Sequence, residues 1–316
     1  LGFLDQAAEG ICAAVRQAQP VPVTHVGTSW APVDRVASSR RILQPDGTIL
    51  KRSSSTTEPL EIAAAEGLID GFVRTVTLLN GGSLVAQLHY YACHPQTFYR
   101  DGRVSYDTAG IARERLQQET GVLQVYFNGC GGEIAMSKYN DGSFEARAQL
   151  AQRLYDGLAQ AARAPEIAPI DALRWQVRSF DLTPRQASEF GDATCRRTLA
   201  DASEPAANRV KAAMILAFRE RVRAGCRYEV SALTIGSARI LHLPGEPFVE
   251  YQLYAQRMCS DHFVAVAGYG DCAMWYIPTD QAFRERGGDE TTWAFAEPCE
   301  AVLKQSISEL ALASLQ

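Results

Sequence analysis

VLQVYFNGCGGE, residues 122–133, is the stretch that decides the fold class. Residues 122–127 form a short, mostly apolar run that reads as a buried strand, and it stops on a glycine-rich turn. Just before it, Ile111, Ala112 and Leu116 share the inward face of a helix that starts after Asp107 and that Gly121 terminates. Just after it, Asp141-Gly142-Ser143 opens a second helix in which Leu150, Leu154 and Leu158 recur every four residues. A strand set between two helices points to an α/β fold, with a mixed-sheet α+β arrangement as the alternative.

The alternation continues in both directions. Pro45-Asp46-Gly47 between RRIL and TIL, and Asn80-Gly81-Gly82 between TVTLL and SLVAQLHYY, are hairpin signals. Leu4, Ala7, Ile11 and Val15 lie on one face of an N-terminal helix. The stretch APEIAPIDA (residues 164–172) is rich in proline and reads as a connector between two halves. Beyond it come a charged amphipathic helix over residues 207–224, closed by Gly225, and the strands YEVSALTI and ARILHL, joined at Gly236-Ser237. A helix with Pro247 at its first position and the strand HFVAVAGYG follow. The chain has no internal repeat and no low-complexity tract.

Composition narrows the function. With 316 residues, 47% of them hydrophobic and 21% charged, the chain can bury a substantial core. A net charge of −5 leaves no polycationic surface, so nucleic acid is not the expected partner. No apolar run approaches the roughly 20 residues of a membrane-spanning helix. The eight cysteines include no C-x-x-C pair, which argues against a structural zinc cage and fits reduced, buried thiols. The opening LGFLDQAAEG shows no signal peptide, which leans the expectation towards the cytoplasm. It also starts at Leu1 inside an amphipathic pattern, as a truncated or processed start does.

Three strands end in polar sequence, YYACHPQTF, YFNGCGGEIA and LHLPGEPF, and AGYGDCAMWYIPTD is a fourth such end. Ligands in α/β folds collect beyond the carboxyl ends of strands, so these four ends are the candidate site. Each residue there also has a plainer reading. A lone histidine such as His94 is more often structural. Glu246 after Pro-Gly favours a helix N-terminus by about 0.3 to 1 kcal/mol. Tyr276, beside Trp275 and Ile277, reads by itself as a packing aromatic. His89 faces away from His94 in the same strand, and His242 and His262 read as sheet residues. The NGCGGE turn offers backbone N–H groups to an oxyanion or phosphate, yet it lacks the Lys and Ser/Thr of a P-loop. Cys130 has no local partner that would activate it as a nucleophile.

Taken in order, Cys93-His94-Pro95, Ser105-Tyr106-Asp107, Gly132-Glu133-Ile134-Ala135, Gly245-Glu246 and VAGYGDCAMWYIPT resemble the motif blocks of the neutral ceramidases. Blocks such as KYNDG and GEPFVEYQL are most similar to uncharacterised bacterial relatives of that family. The resemblance implies one catalytic domain, with residues 1–165 as its N-terminal part and residues 166–316 as its C-terminal part. It implies a zinc ion held by two histidines, a glutamate and a tyrosine, which activates water to cleave an amide. By motif, His94, Glu246 and Tyr276 are the metal ligands carried over, and Glu246 and Tyr276 come from the C-terminal part. Arg40, in VASSRRIL, falls where the family has an Asn-Arg pair near the substrate. Arg40, Tyr276 and Glu133 are thus the catalytic candidates.

Three departures qualify the implied chemistry. The family's serine in its Gly-Asp-x-Ser-Pro block is Ala135 here, and the acid of that block is Glu133. Without that hydroxyl, water activated by the metal is the implied nucleophile. A second family tyrosine corresponds to Asp289, within GGDETTW. The family's first zinc histidine falls ahead of Leu1, so an upstream segment completing the site is expected, with His25 the one histidine placed to compensate. The expectation is a zinc-dependent hydrolase of a small-molecule or lipid-like N-acyl substrate. The alternative is a ligand-binding protein of the same fold that has lost turnover.

Overall fold

Alternation along the strand Phe72–Asn80 sorts its side chains onto two faces, with Val73 joining one hydrophobic cluster and Val76 and Leu78 another. The computed structural model describes residues 2–99, 101–259 and 262–312. This strand turns through Asn80-Gly81-Gly82, where Gly81 takes φ +58°, and pairs antiparallel with Ser83–Tyr91. The first sheet runs in the order Leu123–Asn128, Ser83–Tyr91, Phe72–Asn80, His25–Pro32, Glu166–Pro169, and its first pair is parallel. The second sheet runs Leu173–Phe180, Tyr228–Ile235, Ala238–His242, Phe263–Ala267, and its last pair is parallel. The α/β class with mixed sheets read from the sequence is the class observed.

The two sheets pack face to face. Val26, Val76 and Tyr90 of the first meet Ala238, Ile240 and Ala265 of the second. Helices Asp107–Thr120 and Phe144–Arg163 cover the outer face of the first sheet, and Val249–Met258 and Glu300–Ala311 cover that of the second. The result is a helix–sheet–sheet–helix sandwich. Leu150, Leu154 and Leu158, the four-residue repeat, are fully buried and contribute about 1.5 to 3 kcal/mol each. Gly121 caps its helix in the left-handed conformation, and Ser143 caps the next by accepting from the Ala146 N–H.

Two expectations change. The stretch read as a connector contains the strand Glu166–Pro169, which pairs with His25–Pro32 at the edge of the first sheet. Proline is tolerated there because an edge strand can forgo a ladder donor. The first sheet therefore draws a strand from beyond residue 165. The helix Gly2–Gln17 exists, but none of its residues is buried, and Leu4, Ile11 and Val15 are exposed. Leu1 lies outside the described residues. Among the described residues, no helix is long and apolar enough to cross a membrane.

Candidate active site

The carboxyl ends of the strands Ser83–Tyr91, Leu123–Asn128, Ala238–His242 and Phe263–Ala267 meet at one end of the sandwich, joined by backbone hydrogen bonds. Gly129 N donates to Tyr91 O at 2.9 Å, Gly268 N to Asn128 O at 3.0 Å, and Leu243 N to Ala267 O at 2.8 Å. The Asn128 bond ties the first sheet to the second. Glycine is required at two of these crossings. A Cβ on Gly132 would stand 2.5 Å from Glu246 O, and one on Gly245, at φ +65°, would stand 2.5 Å from Trp275 O. The glycine-rich turn thus serves close packing. Its N–H groups do not form an anion cradle, because Gly129, Cys130 and Gly132 already donate to Tyr91 O, Gln252 Oε1 and Pro247 O.

His94 follows the strand Ser83–Tyr91 and bridges to Ala135. Ile134 O faces both the His94 N–H at 2.9 Å and Nδ1 at 3.0 Å. A carbonyl only accepts, so Nδ1 carries a proton and, in the neutral ring, Nε2 is left with a lone pair. Nε2 stands 3.0 Å from Glu246 Oε2 and 2.9 Å from the Tyr269 hydroxyl. Glu246 and Tyr276 are direct partners in a two-residue parallel bridge, so their side chains leave on the same face. Tyr269 and Trp275 both adopt left-handed backbones, φ +63° and +59°, which is uncommon for non-glycine residues.

Arg40 closes the other side. Its Nη2 donates to Gly132 O at 3.0 Å and to the Tyr276 hydroxyl at 3.4 Å. Asp289 and Glu290 pair with it at 3.3 and 3.0 Å. Burial opposes the charge, but Glu290, Tyr276, Asp289 and Glu246 outweigh it, and the guanidinium pKa is raised. Burial also pushes up the phenols of Tyr276, against the pull of Arg40, and of Tyr269, with Glu246 adding to the effect. Both phenols are therefore hydrogen-bond donors at neutral pH.

His94, Glu246, Tyr276 and Arg40 are thus brought together. Glu133 is not among them. Its carboxyl is buried beneath the site, accepts from the Val249 N–H at 3.0 and 3.2 Å, and is pushed well up by burial and by Glu250. It holds the segment that carries Glu246 and lies outside the cluster of the other four, a positioning place where the sequence reading expects a catalytic one. Ala135 is fully buried. Cys130 is fully buried too, and burial pushes its thiol well up, against a nucleophilic role. His25 pairs with Leu79, at the end of the sheet opposite Tyr91, roughly 20 Å from His94 by strand rise. It therefore cannot compensate for a missing ligand. Tyr269 is the residue that sequence reasoning missed. The one local signal was an aromatic set between Gly268 and Gly270 at a strand end.

The solved structure of neutral ceramidase from Pseudomonas aeruginosa matches this architecture with a TM-score of 0.65, over 96% of this chain and 54% of that one, at 14% identity. A ceramidase complexed with C2 matches at 0.62, over 92% and 53%, also at 14% identity. The chain has the neutral ceramidase fold. No protein-family profile and no curated protein matches the sequence. The chain spans about half the length of the neutral ceramidase structures it matches.

In this neutral ceramidase fold, the donor chemistry of the site fits a zinc ion in one specific respect. Two acceptors, the Nε2 lone pair and a carboxylate oxygen, converge to 3.0 Å, which needs a proton or a cation between them. The Nδ1–H bond to a backbone carbonyl is the usual outer-shell support of a ligating histidine. Among the described residues, no group of three His, Cys, Asp or Glu side chains surrounds the point.

Proposed function

We propose that this chain is a zinc-dependent hydrolase of an amide bond in an N-acyl substrate. The observation that carries it is the convergence of His94 Nε2 and Glu246 Oε2 at the carboxyl ends of strands in this fold. His94 and Glu246 would hold the metal, with Tyr276 or Tyr269 as the phenolic donor. When bound, zinc supplies Lewis acidity that polarises a carbonyl and activates water near neutral pH.

The chain's own residues do the rest. Arg40 and Tyr276 line a cavity of about 580 Å³ and present N–H and O–H donors, suited to a developing oxyanion. Asp289 and Glu290 fix the guanidinium in place. Glu133 holds the Val249 N–H and so sets the position of the Gly245–Pro247 segment. Ala135 offers no hydroxyl, so turnover needs no covalent acyl-enzyme and shows no burst.

The test is amine release from a panel of N-acyl compounds, with and without a chelator. Turnover that a chelator abolishes and zinc restores is the expected result. Turnover indifferent to chelation removes zinc from the proposal. The rival reading, a binding protein without turnover, draws on the two-member His94–Glu246 cluster, and it predicts ligand stabilisation with no amine released.

A further inference from the structure

The cavity beside the His94–Glu246 pair has two unlike walls. One is aromatic and apolar: Trp275 stacks on Trp293 with centroids 4.6 Å apart and planes 23° apart. Val210, 56% exposed on the helix Ala206–Arg223, extends that surface. The other wall carries Ser53, Ser54, Gln96, Lys51 and Asp289. Ser54 Oγ donates to Gln96 Oε1 at 3.1 Å, which turns the amide group so that its N–H donors remain for a ligand. Lys51 Nζ stands 2.5 Å from Asp289 Oδ2, with the two side chains 45% and 34% exposed. Arg40 is matched by Asp289 and Glu290. The cations of this wall are thus already paired, and nothing in it demands an anionic ligand. What remains is a set of exposed donors and acceptors in a cavity that Trp275, Trp293 and Val210 also line, with Phe295 stacked near Trp275 and Lys211 Nζ 5.0 Å from the Trp293 centroid.

An acyl chain laid in this cavity would leave the polar wall facing methylene groups, and its hydrogen-bonding groups would lose water without replacement. A ring with C–H groups on its face and hydroxyls on its rim satisfies both walls at once. We infer that the cavity takes an N-acylated amino sugar, its ring against the Trp275–Trp293 pair and its hydroxyls on Ser53, Gln96 and the Lys51–Asp289 pair. The acyl amide then points to His94 and Glu246. The reaction rests on the hydrolase reading, whereas the binding does not. In that reaction water adds to the amide carbon, the C–N bond breaks, and the amine nitrogen takes the proton as the carboxylic acid leaves.

Two readouts separate the claims: tryptophan fluorescence titration, and amine release, each with N-acetylglucosamine and with N-octanoylethanolamine. N-acetylglucosamine is expected to bind the more tightly, by about tenfold. Trp293→Ala and Gln96→Ala should each weaken it by about fivefold or more, with Gln96→Ala a surface change that leaves the core packing intact. Trp175→Ala, at a tryptophan 59% exposed on the second sheet, should leave binding unchanged. Tighter binding of N-octanoylethanolamine, or sugar binding indifferent to both cavity variants, overturns the inference. Amine released only from N-octanoylethanolamine overturns it while the hydrolase reading stands. Sugar bound as described with no amine released from either compound upholds the sugar site and overturns the hydrolase reading.

Discussion

The imidazole of His94 is held at two nitrogens by different chemistry: a backbone carbonyl on Nδ1, and a carboxylate and a phenol on Nε2. Tyr269→Phe removes one of those contacts and nothing else. The lone pair that accepts from this phenol is the one a metal would take, so the phenol would turn to the metal as a donor, and its loss should lower zinc affinity or activity by at least about 10-fold, with the fold unchanged. A variant indistinguishable from wild type in a zinc titration would show that the phenol is a bystander. Glu133 makes a different prediction. Burial and Glu250 push its carboxyl pKa well up, so Glu133→Gln should keep stability within about 1 kcal/mol, whereas Glu133→Leu strands the Val249 N–H and should cost about 1 to 3 kcal/mol. Equal urea midpoints for the two variants would contradict that account. Gly245→Ala meets both a left-handed φ and a carbonyl at 2.5 Å, and should cost at least as much. At this scale the sequence was readable where chemistry is local. The polar strand ends marked where His94, Glu246 and Tyr276 lie, and the motif resemblance singled those residues out, whereas Tyr269, flanked by two glycines at one of those ends, reaches His94 through a left-handed backbone whose outcome its neighbours do not specify.

Between the first sheet and its helices lies a polar layer around His89, whose Nδ1 meets Thr75 Oγ1 at 2.8 Å and whose Nε2 meets Gln124 Oε1 at 2.7 Å. Burial pushes the His89 pKa down from 6.5 to about 4. Between those values the unfolded chain binds a proton that the folded chain refuses. The contribution to stability is therefore complete above about pH 6.5 and is lost as the pH falls towards 4, by about 3 kcal/mol in all. Urea unfolding at pH 7 and pH 4.5 measures this, and His89→Gln should flatten the difference. Identical pH profiles for variant and wild type would exclude His89 as its source. The hairpins at Asp46-Gly47 and Asn80-Gly81-Gly82 and the leucine repeat of the helix Phe144–Arg163 were legible because turn chemistry and a 3.6-residue period are local. The strand Glu166–Pro169 was not, because a four-residue edge strand containing proline owes its existence to its partner His25–Pro32.

Across the whole molecule, the site depends on contacts that no local pattern encodes: His94 and Glu246 lie 152 residues apart and come from loops on different sheets. Their meeting was anticipated only through the ordered resemblance of several short motifs, which an architecture matched at 14% identity now places in one fold. The helix Gly2–Gln17 contributes no buried residue, so deleting it should move the thermal midpoint by no more than ~2 °C. A larger fall would reveal packing that its exposed face does not show. The central claim is that His94 and Glu246 hold a metal ion together. Calorimetric zinc titration of the metal-stripped chain, compared with Glu246→Ala and His94→Ala, tests it directly. The account predicts one zinc per chain in the wild type and at least about a hundredfold loss of affinity in each variant, while equal zinc binding by all three proteins would contradict it.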